Sequence, residues 1–263
     1  MKPTPECRLF GDLASSVWGR MRAGHALGIP QGEVGITEYL LLELAIANLA
    51  SVRVGVVSTA HEAVIGCDWE WYVGNPNDGW LRFAVQAKRL DPKSHRYKSL
   101  NHTVGKGRSR QVDLLRRYAK LVGAVPLYCL YNSPASCSKT DHWHCTRTFD
   151  PSQLGCSIAT IDTIDWALRT QGCRNFASIH NKPSTVPWRC LVCCDHVSAV
   201  GAVSQCGISA ITKSAKRFPT TPLDEQGALD GVYVLEDLGP NYPESLEYLP
   251  HNVARIMIDL PRD

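Results

Sequence analysis

No run in this chain of 263 residues approaches the roughly 18 consecutive apolar residues that a membrane-spanning helix needs. The first residues, M-K-P-T-P-E-C-R, hold no apolar core of the kind a secretion signal carries. The expectation is an intracellular, cytoplasmic protein with no membrane partner. Strong charge is also missing. The 28 Lys and Arg stand against 25 Asp and Glu, a net charge of +3, so attraction to a polyanion has to come from local clustering. There is no internal repeat and no low-complexity linker. With 44% hydrophobic and 20% charged residues, the simplest architecture is one elaborated α/β domain over residues 1–263, with a sizeable core.

Cysteine, by contrast, is plentiful, and its count of eleven is odd. In a reducing compartment these residues are expected as buried small hydrophobes or metal ligands rather than disulfides. Cys190 and Cys193 form a C-x-x-C, and with Cys137 and Cys145, or His142 or His144 in place of one of them, they could complete a tetrahedral zinc site. The first half of that pattern is irregular, and L-V-C-C reads equally well as a buried strand.

Residues 66–88 organise the chain. They read G-C-D-W-E-W-Y-V, then G-N-P-N-D-G, then W-L-R-F-A-V-Q-A-K, two alternating runs around a turn-forming loop, which is the signature of a β-hairpin. Side chains alternate across a strand. Asp68 and Glu70 therefore share one face opposite Cys67, Trp69 and Trp71, while Gln86 and Lys88 share a face opposite Leu81, Phe83, Val85 and Ala87. With the turn centred near Asn77, Asp68 falls directly across from Gln86, and Lys88 lies one diagonal step away. A hard divalent cation, Mg²⁺ or Mn²⁺, takes oxygen ligands and keeps several waters, so Asp68, Gln86 and the main-chain carbonyl of Ala87 make a partial shell. A lysine beside such an ion can orient or deprotonate a water and neutralise charge growing on a phosphodiester. An ordinary amphipathic hairpin with a solvated face accounts for the same residues.

With G-x-D, a hairpin and a hydrophobic strand ending Q-A-K, the sequence resembles the Mrr-like branch of the PD-(D/E)XK phosphodiesterase superfamily, with Gln86 standing where many members have Glu. The resemblance covers residues 33–131. It implies a restriction-endonuclease-like α-β-β-β-α-β core over 28–131, preceded by an N-terminal helix and followed by a Cys-rich elaboration over 132–263. It implies Asp68 and Gln86 as Mg²⁺ ligands, Lys88 as the catalytic lysine, and a further ligand from the helix before the sheet, matched here to Glu38. It also implies a nuclease acting on DNA in bacterial restriction or phage defence, as a homodimer or with a defence-system partner.

The surrounding chain supplies the expected elements. An amphipathic helix is read over 7–27, a second from 38 to about 50 with Thr37 as its cap, and a strand over 51–58. His61 and Glu62 follow, with a capping or surface role. Residues 89–110 carry seven Lys or Arg against the single acid Asp91, with Gly105 and Gly107 loosening the backbone. Arg89, Arg96, Lys98, Lys106 and Arg108 are placed to grip a phosphate backbone, with Tyr97 either stacking on a base or anchoring the loop. Gln111 then opens a helix over 111–122, where the resemblance implies a polar residue directed into the site, Gly123 stops that helix, and a strand starts near Pro126. Beyond this lie a helix at 158–169, a small-residue stretch at 197–215, a basic cluster of Lys213, Lys216 and Arg217, and strands at 231–235 and 255–260. Two other functions fit: a non-catalytic nucleic-acid-binding module on the same fold, and a zinc-stabilised interaction protein centred on the cysteines.

Overall fold

The structure, a computed structural model, describes residues 3–58, 66–104, 109–145, 147–193, 215–219 and 252–259. Helices α1 (Pro5–Ala26) and α2 (Glu33–Ile46) come first. They are followed by strands β1 (Val52–Ser58), β2 (Trp69–Asn75), β3 (Gly79–Arg89), β4 (Thr103–Val104) and β5 (Ser109–Arg110). Helix α3 (Gln111–Val122) and strand β6 (Val125–Tyr131) lead to the short α4 (Lys139–His142), then β7 (Cys156–Thr160) and α5 (Ile161–Arg169). The last described elements are α6 (Phe176–His180), β8 (Thr185–Pro187), α7 (Cys190–Cys193), β9 (Arg217–Phe218) and β10 (Asn252–Asp259). The protein is a mixed α/β fold. Its main sheet runs β1-β10-β2-β3-β6-β7-β8, with β9 on the side of β3, and β4 and β5 pair separately.

The central strands form because alternating apolar residues find helices to cover them. Trp69, Trp71, Phe83, Val85 and Ala87 line one face, and α1 lies against it through Phe10, whose ring sits 6.4 Å from Trp71 and 4.8 Å from Trp188. Burial of Phe10, Leu13, Ala14, Val17 and Met21 follows the 3.6-residue period of α1. The opposite face of the hairpin is polar, yet it is not solvated. Glu70 is 0% exposed and accepts from Arg82 Nε and NH2 at 2.8 and 2.6 Å and from the Tyr118 hydroxyl of α3 at 3.0 Å. Helix α3 covers this face, so the reading of an amphipathic hairpin with a wet side does not describe the molecule.

Register follows the sequence. Trp69 pairs with Val85 and Glu70 with Ala84, which is symmetry about Asn77. The turn is closed by the Asn75 side chain, which accepts from the Asn77 and Asp78 amides. Gly66 stands at φ +67°, and a Cβ there would lie 3.0 Å from the Gln111 carbonyl, so glycine is what allows the chain entering β2 to pass under the start of α3.

Several elements differ from the sequence reading. Helix α2 begins at Glu33 rather than at residue 38, because Thr37 is inside it: its hydroxyl bonds the Glu33 carbonyl at 3.1 Å and the Tyr131 hydroxyl at 2.9 Å instead of capping. Residues 156–160 form strand β7, antiparallel to β6, and the helix expected from 158 starts only at Ile161, where Thr160 caps it. Leu191, Val192 and Cys193, the described part of L-V-C-C, belong to a short helix, not a strand. The strand expected at 255–260 is β10, and it lies inside the sheet, antiparallel to β1 and parallel to β2, so the sheet takes strands from both 28–131 and 132–263. His61, Glu62, Lys106, Arg108, Lys213, the strand at 231–235 and all but the end of the 197–215 stretch fall outside the described residues.

Candidate functional site

Asp68 immediately precedes β2, and its amide donates to the Val85 carbonyl at 2.8 Å, which extends the hairpin pairing to this residue. The half-buried carboxylate faces β3. Its Oδ2 accepts from Gln86 Nε2 at 2.5 Å and from the Ala87 amide at 2.6 Å. The Gln86 amide nitrogen also donates to the Ala87 carbonyl at 3.2 Å, which fixes its orientation and leaves Oε1 on the other side. That oxygen is buried and has no hydrogen-bond partner among the described residues. Lys88, two positions on and therefore on the same face, is 3% exposed.

The amine of Lys88 is held by an acid that sequence reading passed over. Lys88 Nζ lies 3.0 Å from Glu33 Oε1, and Glu33 Oε2 accepts from the Arg89 amide at 3.0 Å. Glu33 thus ties the first turn of α2 to the end of β3. Glu38, the position matched to a helix ligand, is exposed. Five residues of an α-helix rotate by about 140°, so Glu33 and Glu38 cannot share a face. The spacing of Ile36, Leu40 and Leu44, the buried residues of α2, was the signal available in the sequence, since it sets the inward face on which Glu33 lies.

On the far side of β3, Tyr128 of β6 is the register partner of Gln86. Its hydroxyl is buried without a partner among the described residues, as is Gln111 Oε1 at the start of α3. Burial, then the Asp68 carboxylate, push the Tyr128 phenol well above its ordinary range, with Asp113 and Glu33 adding to the effect and Arg116 opposing it. Cys67 and Cys129 are raised first by burial and in part by Asp68, so both stay protonated thiols and neither is a nucleophile.

In its described part, residues 89–104, the basic segment makes specific contacts. Asp91 and Arg96 form a bridge, Lys98 Nζ lies 2.7 Å from Asp91 Oδ2, and Arg96 NH1 donates to the Gly172 carbonyl at 3.3 Å. Lys98 holds the Asp91 carboxyl well below the usual carboxylate range. Tyr97 anchors the segment: it is 1% exposed and its hydroxyl donates to Asn132 Oδ1 at 2.5 Å, so it does not offer a ring for base stacking. Lys98 keeps an exposed side chain, Arg89 is half-buried beside the site, and Lys216 and Arg217 lie at β9.

The cysteine-rich region does not assemble the expected zinc set. Cys193 is disulfide-bonded to Cys7, across a sequence separation of 186, and so is not available as a thiolate ligand. The reading of these cysteines as thiols alone is corrected by the same bond. Cys137 and Cys145 are half-buried and Cys190 is buried. Among the described residues no group of three or more His, Cys, Asp and Glu is placed to hold a metal. The oxygen groups near Lys88 are instead two carboxylates and an amide, a donor set suited to a hard cation that retains waters. The unpartnered Gln86 Oε1 is the observation that fits such an ion.

A mixed α/β sheet with an acid, an amide and a buried amine on one face of its central hairpin is the class the fold and site define. Residues 6–252 match a family described as a family of unknown function (DUF6615), which is most of the chain, and the protein belongs to that family. No curated protein matches it. No described helix is long and apolar enough to cross a membrane.

Proposed function

We propose that this protein is a divalent-cation-dependent nuclease that hydrolyses phosphodiester bonds, with Asp68, Gln86 and Lys88 at its centre and DNA as the expected substrate. The observation that carries the reading is the common face: Asp68 bonds Gln86 and the Ala87 amide directly, and Lys88 follows on the same face with its amine oriented by Glu33. The chain order α2, β1, β2, β3, α3, β6 supports a restriction-endonuclease-like core. Insertion of β10 between β1 and β2 is an elaboration of that plan.

Asp68 and Gln86 are the residues that would hold Mg²⁺ or Mn²⁺, which when bound supplies an acidified water and neutralises phosphate charge. Lys88 contributes a fixed positive charge where negative charge develops on the phosphate. Glu33 is a positioning residue: with one oxygen on the Lys88 amine and the other on the Arg89 amide, it keeps the amine from turning away. Arg89, Arg96 and Lys98 are among the described cations of the segment that follows, and they are the groups for backbone contact in a salt-dependent way. Restriction or defence against foreign DNA, alone or with a defence-system partner, is the role this chemistry suits.

The test is incubation of purified protein with plasmid and with RNA in Mg²⁺, Mn²⁺ or EDTA, beside Lys88→Ala. Cleavage that needs the cation and disappears in the variant, with folding and DNA affinity retained, is the expected result. Cleavage by Lys88→Ala at the wild-type rate, or no cleavage of either substrate in any condition, would overturn the proposal.

A further inference from the structure

Three buried tyrosines are engaged through their hydroxyls. Tyr131 bonds Thr37, Tyr118 bonds Glu70, and Tyr97 bonds Asn132. Tyr128 is different. It is 0% exposed and its hydroxyl has no partner among the described residues. A hydroxyl taken out of water and left unpaired destabilises the fold, so its retention asks for a reason.

Its position supplies one. Tyr128 and Gln86 are register partners on parallel strands, so their side chains leave the sheet on the same side. Gln86 Oε1 is unpaired too, and so is Gln111 Oε1 on the helix that packs over this face. All three orphans are oxygens, and all three can accept a hydrogen bond. Unmet oxygens on the face that carries the Asp68 carboxylate call for a cation and the donor hydrogens of its waters.

We infer that the Tyr128 hydroxyl is a positioning residue which accepts a hydrogen bond from the hydration shell of a divalent cation held at Asp68 and Gln86. The inference rests on the phosphodiesterase reading and adds to it a residue outside the D…Q-x-K pattern. A hydroxyl has lone pairs with which to accept, and the rigid ring fixes where that acceptor sits.

Mg²⁺ binding by calorimetry on the full chain, for wild type and Tyr128→Phe, is the test. The variant is expected to be at least as stable as wild type in EDTA, because an unpaired buried hydroxyl has gone, and to bind Mg²⁺ about 10-fold more weakly, the usual scale for losing a group that orients a cation's shell. Cleavage by the variant should recover at high Mg²⁺. Unchanged Mg²⁺ affinity and unchanged Mg²⁺ dependence of cleavage in the variant would overturn the inference while leaving the nuclease reading intact. Failure of wild type to bind Mg²⁺ at all would remove both. Because the variant could fold poorly, wild-type protein labelled with 3-fluorotyrosine provides a second measurement. Added Mn²⁺ should broaden the Tyr128 fluorine resonance more than that of Tyr97, and equal broadening would count against the inference.

Discussion

Glu33→Gln keeps the size of the side chain and removes its charge, and its effect follows from the contacts of that residue. The Glu33 carboxylate lies 3.0 Å from a lysine amine that is 3% exposed. At that distance two unit charges attract by about 5 kcal/mol at an effective dielectric near 20. Removing one partner of a buried pair costs roughly 3–5 kcal/mol, because the other charge remains in a poorly solvated place. Glu33 is 27% exposed, so water takes up part of that loss, and about 2 kcal/mol is expected. For a chain of this size that lowers the melting temperature by about 4–8 °C. Lys88→Met removes the buried charge itself and leaves only the more exposed acid, so its cost should be smaller. The double variant should then be more stable than the sum of the two losses implies, and urea melts of the four proteins measure that coupling. Additivity within about 0.5 kcal/mol would show that the two groups do not act on one another and would sink the assignment of Glu33 as the residue that orients Lys88.

Two further outcomes follow from groups away from the candidate site. His180 is 0% exposed, its Nδ1 donates to the Phe176 carbonyl at 3.0 Å, and burial holds its pKa down to about 3. Its folded value lies below its unfolded value near 6.5, so the unfolded chain takes up a proton that the folded chain does not. The contribution is full above pH 6.5 and is lost as pH falls toward 3, by roughly 1.4 kcal/mol per unit, or about 3 kcal/mol by pH 4.5. Urea melts between pH 7 and 4.5 should show a shallower decline for His180→Gln than for wild type, and equal slopes would refute the account. The Cys7–Cys193 bond closes a sequence separation of 186, for which chain entropy gives at most about 5 kcal/mol. A reducing agent should therefore lower the stability of wild type and leave Cys7→Ser unchanged, whereas equal effects on both would mean that the bond does not form.

How much of this could be read from the sequence depends on how far apart the interacting residues lie. The placement of Asp68 opposite Gln86 needed only strict alternation and a turn rich in Asn, Asp and Gly, information held within about twenty residues. The start of α3 and its stop at Gly123, φ +69°, were equally local. Glu33 was missed because Thr37 looked like a cap, and what makes it an interior residue is the Tyr131 hydroxyl, 94 positions away. The polar side of the hairpin looked wet because the pairing of Glu70 with Arg82 and Tyr118 depends on where α3 lands. For Tyr97 the sequence left base stacking and loop anchoring open, and the choice of anchoring depends on Asn132, 35 positions away. Cys193 looked like half of a zinc knuckle because its true partner, Cys7, lies at the opposite end of the sequence.

The place of β10 has a bearing on how the chain becomes functional. The strand that leads out of Asp68 borders residues 252–259 on one side, so the sheet holding Asp68, Gln86 and Lys88 has an open seam until that stretch has left the ribosome. Contacts this distant in sequence form slowly. A nascent or truncated chain lacking them would expose the edges of β1 and β2 to other strands, and the sheet around Asp68 would be complete only once residues 252–259 have been made.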